Sequence, residues 1–268
     1  MTFCDERLTS ASGNRAKNII RLKDKARERQ KQGLFIVEGR RIMEEVPAAL
    51  IEGVYVSSSY RRRFANEFAG LDVQAFEVAD EVFSRLSDTR TPQGILAVVR
   101  IPKYELKTDI IDRAGMLLVL ENVQDPGNVG TCIRCAEGAN AAGVLISEDS
   151  ADIFSPKVVR STMGTIFRMP YYIYGEGSTA LIETLRADDV RSYAAYLDGS
   201  VSYDEADFAG DKSFAIFIGN EGNGLREETA AACDERIRIP MGGRLESLNA
   251  AMSAGIIMYE AARQIRRR

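Results

Sequence analysis

The chain has 268 residues, 45% of them hydrophobic and 28% charged, which suffices for a buried core and argues against disorder. It contains no histidine, which removes His-based triads, Cys–His dyads and nearly every common zinc site. Net charge is −4 but uneven: residues 1–105 carry 18 Lys/Arg against 15 Asp/Glu, and residues 106–268 carry 17 against 24.

From the N-terminus, residues 14–32 are good helix formers, stopped by Gly33. The stretch Arg15–Lys31 holds eight basic and two acidic residues. This pattern fits a solvated helix, or a phosphate-contacting surface presenting Arg15, Lys17, Arg21 and Lys23. Short strands are expected at 34–39, 53–58, 71–78 and 94–101, with helical stretches between them. One such helix opens at Arg61-Arg62-Arg63. This alternation implies a small α/β domain with a largely parallel or mixed sheet over residues 1–105. Pro102–Lys107 is polar, and a linker is placed at 106–112. The α/β rhythm then restarts over 113–268, with strands at 116–123 and 143–147, a helix from Ser155-Pro156 and further strands ending at Phe217–Asn220. No apolar run is long enough to span a bilayer. The start, MTFCDERLTS, lacks the regions of a secretory signal, and four scattered cysteines make no disulfide scaffold, so a cytoplasmic protein is expected.

Three constellations follow apolar strands. In NVQDPGNVGTCIRCAEG, Asn128 sits near a helix start, where capping is the bland explanation. Arg134, six residues on and close to the same face, lies among small and apolar residues. An arginine so placed has either an ion-pair partner, Glu137 being nearest, or a ligand. Cys132 and Cys135 spell C-x-x-C. A zinc site would want further ligands, and packing outweighs a redox pair.

The second constellation, Gly219-Asn220-Glu221-Gly222-Asn223-Gly224-Leu225, has the glycine order of neither a dinucleotide fingerprint nor a Walker loop. It reads as a tight loop admitting a ligand to the backbone, with Glu221 either in a site or at a helix N-terminus. The third, Ile239-Pro240-Met241 to Ser247-Leu248-Asn249, leads into a long Ala/Gly/Ser-rich helix suited to a helix–helix dimer contact. Ser247 and Asn249 are both candidate caps.

In this order and spacing, N128-x-G-x-x-x-R134, G219-N-E221-G-x-G-L and I239-P-M-x-G-x-x-x-S247-L-N249 resemble the motifs of the SpoU/TrmH-like RNA ribose methyltransferases of the SPOUT superfamily. The segment Ser155–Pro170 is similar too. GLFIVEGRRIMEE and TPQGILAVV resemble, more weakly, the ribosomal-protein-like recognition domain attached to that family, with Pro92 where many relatives have histidine. The resemblance implies an α/β domain with a deep trefoil knot, preceded by a small ribosomal-protein-like α/β domain that recognises RNA. It implies S-adenosylmethionine as cofactor, held by Gly219, Asn220, Ile239, Met241 and Leu248. It also implies methyl transfer to a ribose 2′-hydroxyl with Arg134, Asn128, Glu221, Ser247 and Asn249 in the catalytic site, without metal and in a homodimer. Ribosomal RNA (23S) is the expected substrate, with tRNA and a non-catalytic RNA-binding role as the alternatives.

Overall fold

The computed structural model describes residues 1–64, 73–244 and 247–267. Its contacts divide the chain into two units, Met1–Lys103 with Asp152–Phe167, and Tyr104–Ala151 with Arg168–Arg268.

The first unit contains, in order, β1 (Thr2–Leu8), α1 (Asn14–Asp24), α2 (Ala26–Gln32), β2 (Leu34–Glu38), α3 (Arg40–Met43), β3 (Ile51–Ser57), α4 (Ser58–Arg63), β4 (Gln74–Val78), α5 (Asp80–Leu86) and β5 (Ile95–Arg100). Its sheet runs β1-β4-β3-β5-β2. The first three strands are parallel, and β5 is antiparallel to both its neighbours. The sheet is therefore mixed. α1 buries Ala16, Ile19 and Leu22, three positions at helical spacing, in a core shared with Tyr55, Phe76 and Leu96.

Three features of this unit depart from the sequence reading. The expected single helix over 14–32 breaks at Lys25, whose backbone is extended. The break leaves the carbonyls of Leu22 and Lys23 without helical donors. Arg29 supplies them, donating from Nη1 at 2.6 and 2.9 Å and pairing with Asp152 at 2.5 Å. One member of the basic run is thus a buried structural group. The expected end at Gly33 is found, with Gly33 in the left-handed conformation at φ 65°. Second, Arg61–Arg63 close α4 rather than open a helix. The expected start of the next strand at Leu71 lies outside the described residues. Third, β1 was not anticipated, because its sequence TFCDERL has no clean apolar alternation.

The second unit begins with β6 (Gly115–Leu120), α6 (Pro126–Gly138) and β7 (Gly143–Ser147). The chain then passes through α7 (Pro156–Thr162), which Ser155 caps and which belongs to the first unit. The domain expected from the sequence over 113–268 includes this segment. Its aromatic ends explain the difference: Phe154 and Phe167 lie 5.1 and 5.9 Å from the ring of Phe35 on β2. The second unit resumes with β8 (Tyr171–Tyr174), α8 (Ser178–Ala187), β9 (Arg191–Ala195), β10 (Val201–Ser202), β11 (Ser213–Ile218), α9 (Glu227–Ala232), β12 (Glu235–Arg238) and α10 (Ala250–Arg266).

Its strands, in the order β10-β12-β9-β11-β6-β7-β8, are all parallel. β6, β7 and β11 read as continuous apolar runs because a central parallel strand is covered on both faces. The C-terminal ends of β6 and β11, which are adjacent, release the first and second loops side by side. Ligands of open parallel sheets bind at such strand ends. Among the described residues no helix is long and apolar enough to cross a membrane.

Candidate active site

The loop after β6 is built around a cap. Asp125, not Asn128, is the N-cap of α6: its carboxylate accepts from the Asn128 amide N–H at 2.9 Å, and Pro126 occupies the first turn. The Asn128 side chain is therefore released from capping. Its Nδ2 donates to Glu221 Oε1 at 2.9 Å, and its Oδ1 accepts from Asn249 Nδ2 at 2.9 Å. Asn249 in turn caps α10, its Oδ1 accepting from Ala251 and Met252. One hydrogen-bonded chain thus joins all three loops, and its polarity sets the orientation of both amides.

Glu221 also accepts from the backbone N–H groups of Gln124 at 3.1 Å and Asp125 at 3.0 Å. It sits at the N-terminus of α6 rather than at that of the helix following it in sequence. Burial pushes the Glu221 carboxyl upward, but the bonds from Asn128, Asp125 and Gln124 outweigh that and hold it below its ordinary value. It is an ionised acceptor at neutral pH.

The second loop is held from within. Asn220 Oδ1 accepts from the N–H groups of Gly222 and Asn223, and Nδ2 donates to the carbonyl of Asn122 at 2.8 Å. Asn220 is spent on loop geometry. A Cβ at Gly219 would lie 2.1 Å from the backbone of Gly224 and Leu225, so only glycine fits there. At the far end of the loop, the buried carboxylate of Glu121 takes the Arg226 N–H at 2.9 Å, the Thr229 hydroxyl at 2.6 Å and the Ser178 hydroxyl. Arg226 bridges Glu121 and Asp149. Sequence reading passed over Glu121; the signal available was a lone carboxylate closing an apolar strand.

These loops border an open cavity of about 390 Å³, lined by Ala195–Asp198, Ile218–Leu225, Ile237–Ile239, Met241, Ser247, Leu248, Ala250, Ser253 and Ile257. The five residues expected at the cofactor, Gly219, Asn220, Ile239, Met241 and Leu248, all line it, as do Glu221 and Ser247. Asn128 and Asn249 reach it through Glu221. Leu245 and Glu246 of the third loop lie outside the described residues.

Arg134 is exposed and makes no hydrogen bond or ion pair among the described residues. Its expected partner Glu137 pairs instead with Arg168. Six residues at 3.6 per turn place Arg134 about 120° around α6 from Asn128, so the two do not share a face as the spacing had suggested. Cys132 is fully buried, and burial drives its thiol far above the ordinary range. Cys135 is half-buried, 3.6 Å from where a Cβ of Gly255 on α10 would stand. Both are free thiols in packing positions.

The four basic residues singled out on α1 divide. Arg15 is paired with Glu6 at 3.2 Å and stacked 4.3 Å over Phe76. Lys23 donates to the carbonyls of Arg85 and Ser87 at 2.9 and 3.2 Å. Lys17 and Arg21 are exposed.

Residues 115–259 match the SpoU rRNA Methylase family, and residues 13–97 match the MRM3-like substrate binding domain. The chain is 31% identical to the 23S rRNA (guanosine(2553)-2′-O)-methyltransferase RlmP of Bacillus subtilis, over 95% of this chain and 98% of that protein. Its fold is similar to the AdoMet-bound rRNA methyltransferase from Sinorhizobium meliloti, with TM-score 0.84, 30% identity and coverage of 97% and 98% of the two chains. It is also similar to the SpoU methyltransferase AviRb from Streptomyces viridochromogenes, with TM-score 0.80, 26% identity and coverage of 95% and 98%. With more than half of its length matched by the family and its three loops joined at one cavity, this chain belongs to the SpoU rRNA Methylase family.

Proposed function

We propose that this protein transfers a methyl group from S-adenosylmethionine to a ribose 2′-hydroxyl of 23S ribosomal RNA. The observation that carries the reading is the hydrogen-bonded chain Asn249–Asn128–Glu221 at the wall of a ligand-sized cavity. The cavity residues suit this cofactor. Ile218, Leu225, Ile239, Leu248 and Ile257 offer apolar walls to a flat base, while the carboxylates of Asp198 and Glu221 favour a cationic ligand. When bound, the cofactor supplies a methyl group with its own leaving group.

The residues of the chain have distinct tasks in this reading. Gly219, Ile239, Met241 and Leu248 line the cofactor, largely through backbone and apolar atoms, and Asn220 fixes the loop they share. Glu221, Asn128 and Asn249 keep the loops in register, and the Ser247 hydroxyl at the rim helps orient the ribose. The Arg134 guanidinium offers hydrogen-bond donors and no acceptor. It holds an RNA phosphate and stabilises the alkoxide that develops at the 2′-oxygen, and the 2′-hydroxyl proton passes to an oxygen of that phosphate. Alignment of the hydroxyl contributes up to roughly 7–11 kcal/mol of barrier lowering.

The finer architecture follows the same reading. The segment carrying the second and third loops threads into a trefoil knot, a rare topology, and the first unit is a ribosomal-protein-like domain that recognises RNA through Lys17 and Arg21, with Arg15 and Lys23 contributing charge. α10 forms the homodimer contact: Met252 and Tyr259, seven residues apart on one face, are 58% and 49% exposed. The enzyme works in the cytoplasm, on ribosomal RNA. Ribosomal RNA is favoured over tRNA because the similar proteins named for rRNA align with both units of this chain.

The test is a map of 2′-O-methylation across total RNA from cells with wild-type protein, with Arg134→Ala and without the protein. The expected result is a 23S site lost equally in the last two, with cofactor affinity unchanged in Arg134→Ala. Methylation confined to tRNA would overturn the substrate. Absence of calorimetric S-adenosylmethionine binding would leave a non-catalytic RNA-binding protein.

A further inference from the structure

The first unit carries an arginine cluster that none of the motifs includes. β1 precedes residues 13–97, the span matched by the substrate-binding-domain family, and Arg61–Arg63 form the last turn of α4. Arg7 on β1 and Glu77 on β4 are register partners, so their side chains share a face of the sheet. Phe76, next to Glu77, points to the other face, where Arg15 of α1 stacks upon it. Arg7 and Glu77 therefore lie on the face opposite α1, Arg61 reaches the same face through its pair with Glu77, and Arg62 and Arg63 follow Arg61 in the last turn of α4.

Its arginines are held in place but not neutralised. Glu77 pairs with Arg7 at 3.3 Å and with Arg61, and accepts the Ser58 hydroxyl at 2.6 Å. Ser58 accepts from Arg7 Nη2 at 2.9 Å. The Arg61 guanidinium carbon stands 4.1 Å over the Phe3 ring, and that of Arg63 stands 5.2 Å over Phe64. Arg62 donates to the Ser59 hydroxyl at 3.2 Å, while Asp80 beside it is engaged by Ser59. Among the described residues, four guanidinium groups thus face the two carboxylates of Glu77 and Asp80.

A helix dipole explains basic residues at the end of α4. It does not explain Arg7, which another strand brings to the same spot, nor the stacking of two guanidiniums on aromatic rings. Stacked, pre-oriented guanidiniums with exposed edges lose little freedom on binding and suit bidentate contact with phosphate oxygens. We propose that Arg7, Arg61, Arg62 and Arg63 form a phosphate-binding surface for the sugar–phosphate backbone of the RNA substrate, with β1 adding Arg7 to the three arginines of α4. The inference rests on the RNA reading above.

The test is filter binding of full-length protein to protein-free 23S ribosomal RNA between about 50 and 200 mM salt. Arg62→Ala/Arg63→Ala is expected to bind about tenfold more weakly at fixed salt, with a log–log salt slope shallower by about 1.5 for two lost phosphate contacts. Arg62→Lys/Arg63→Lys, which keeps the charges, restores the slope. Arg266→Ala/Arg267→Ala removes the same charge from the end of α10 and changes affinity less than about twofold. An unchanged Arg62→Ala/Arg63→Ala protein, or an equal loss in the α10 pair, overturns the surface. A wild-type protein that binds S-adenosylmethionine but not 23S RNA overturns the RNA reading itself, and the surface with it.

Discussion

The side-chain amide of Asn128 donates to the Glu221 carboxylate at 2.9 Å, joining α6 to a loop 93 residues further along the chain. Glu221 is at once the acceptor for two backbone N–H groups and the partner of the Asn128–Asn249 chain. Glu221→Gln keeps the shape but replaces one carboxylate oxygen with a donor, which must face an N–H group. Leaving such groups unsatisfied costs about 1–3 kcal/mol. A fall in kcat/KM of roughly 10- to 100-fold is expected, with Asn128→Ala in the same direction. Steady-state kinetics on both variants and the double mutant check this. Additive losses would mean that the two residues act independently.

Gly219→Ala is expected to be more damaging than its size suggests. The added methyl would meet the backbone of Gly224 and Leu225 at 2.1 Å, and no side chain can move to relieve the clash. Overpacking of this kind costs about 1–3 kcal/mol. Cofactor affinity should be lost before the fold is, which calorimetry and a thermal melt on one sample would separate.

Glu121→Ala tests the anchor at the other end of the loop. It removes the acceptor of Ser178, Thr229 and Arg226 from a site where Glu121 is 1% exposed. Breaking a buried pair costs about 3–5 kcal/mol. Arg226 keeps Asp149 and is half-exposed, so the lower end is expected. In a chain of this size the melting temperature should drop by about 6–12 °C. A drop below about 2 °C would contradict the anchor role.

The pH dependence of stability follows from the carboxylates. Asp149, Glu221 and Asp234 are pushed up by burial but held lower overall by hydrogen bonds and arginines, while Glu77 and Glu260 are lowered chiefly by the side chains bonded to them, Ser58 and Arg263. A depressed carboxyl stabilises the fold fully above its unfolded value, near 4, and loses that contribution as pH falls through the folded value. Burial raises the Cys233 thiol to about 12 and lifts the Tyr171 and Tyr193 hydroxyls. Their contribution is intact below the unfolded values, about 8.5–10, and declines as pH rises beyond them. With no histidine in the chain, the melting temperature should be flat between about pH 5 and 8 and fall on both sides. A midpoint near pH 6.5 in the melting curve series would contradict this.

Much of the candidate site was legible because its residues are tied to loop chemistry. Glycine at 219 and a cap at Asn249 each leave a local signature, and apolar runs mark β6, β7 and β11 wherever a strand is covered on both faces; the cap of α6 was expected at Asn128 and stands at Asp125 instead. What remained hidden depends on partners far along the chain. β1 is an edge strand whose pairing residues on β4 lie about 70 positions away, and its own sequence lacks alternation. The break at Lys25 becomes stable through Arg29, whose carboxylate partner is Asp152. The segment Asp152–Phe167 joins the first unit because Phe154 and Phe167 find Phe35, which no local pattern announces.

By itself the sequence determined the α/β class, the three loops and the exclusion of imidazole chemistry, since these rest on periodicity, turn residues and composition. Tertiary structure alone decided which polar groups remain available for function. Asn128 is released because Asp125 caps its helix; Asn220 is consumed by its own loop; Arg134 has no ion-pair partner among the described residues, its neighbour Glu137 being paired with Arg168. Each outcome is a competition for a hydrogen-bond partner, and such competitions are settled only when the distant competitors are brought within about 3 Å of one another.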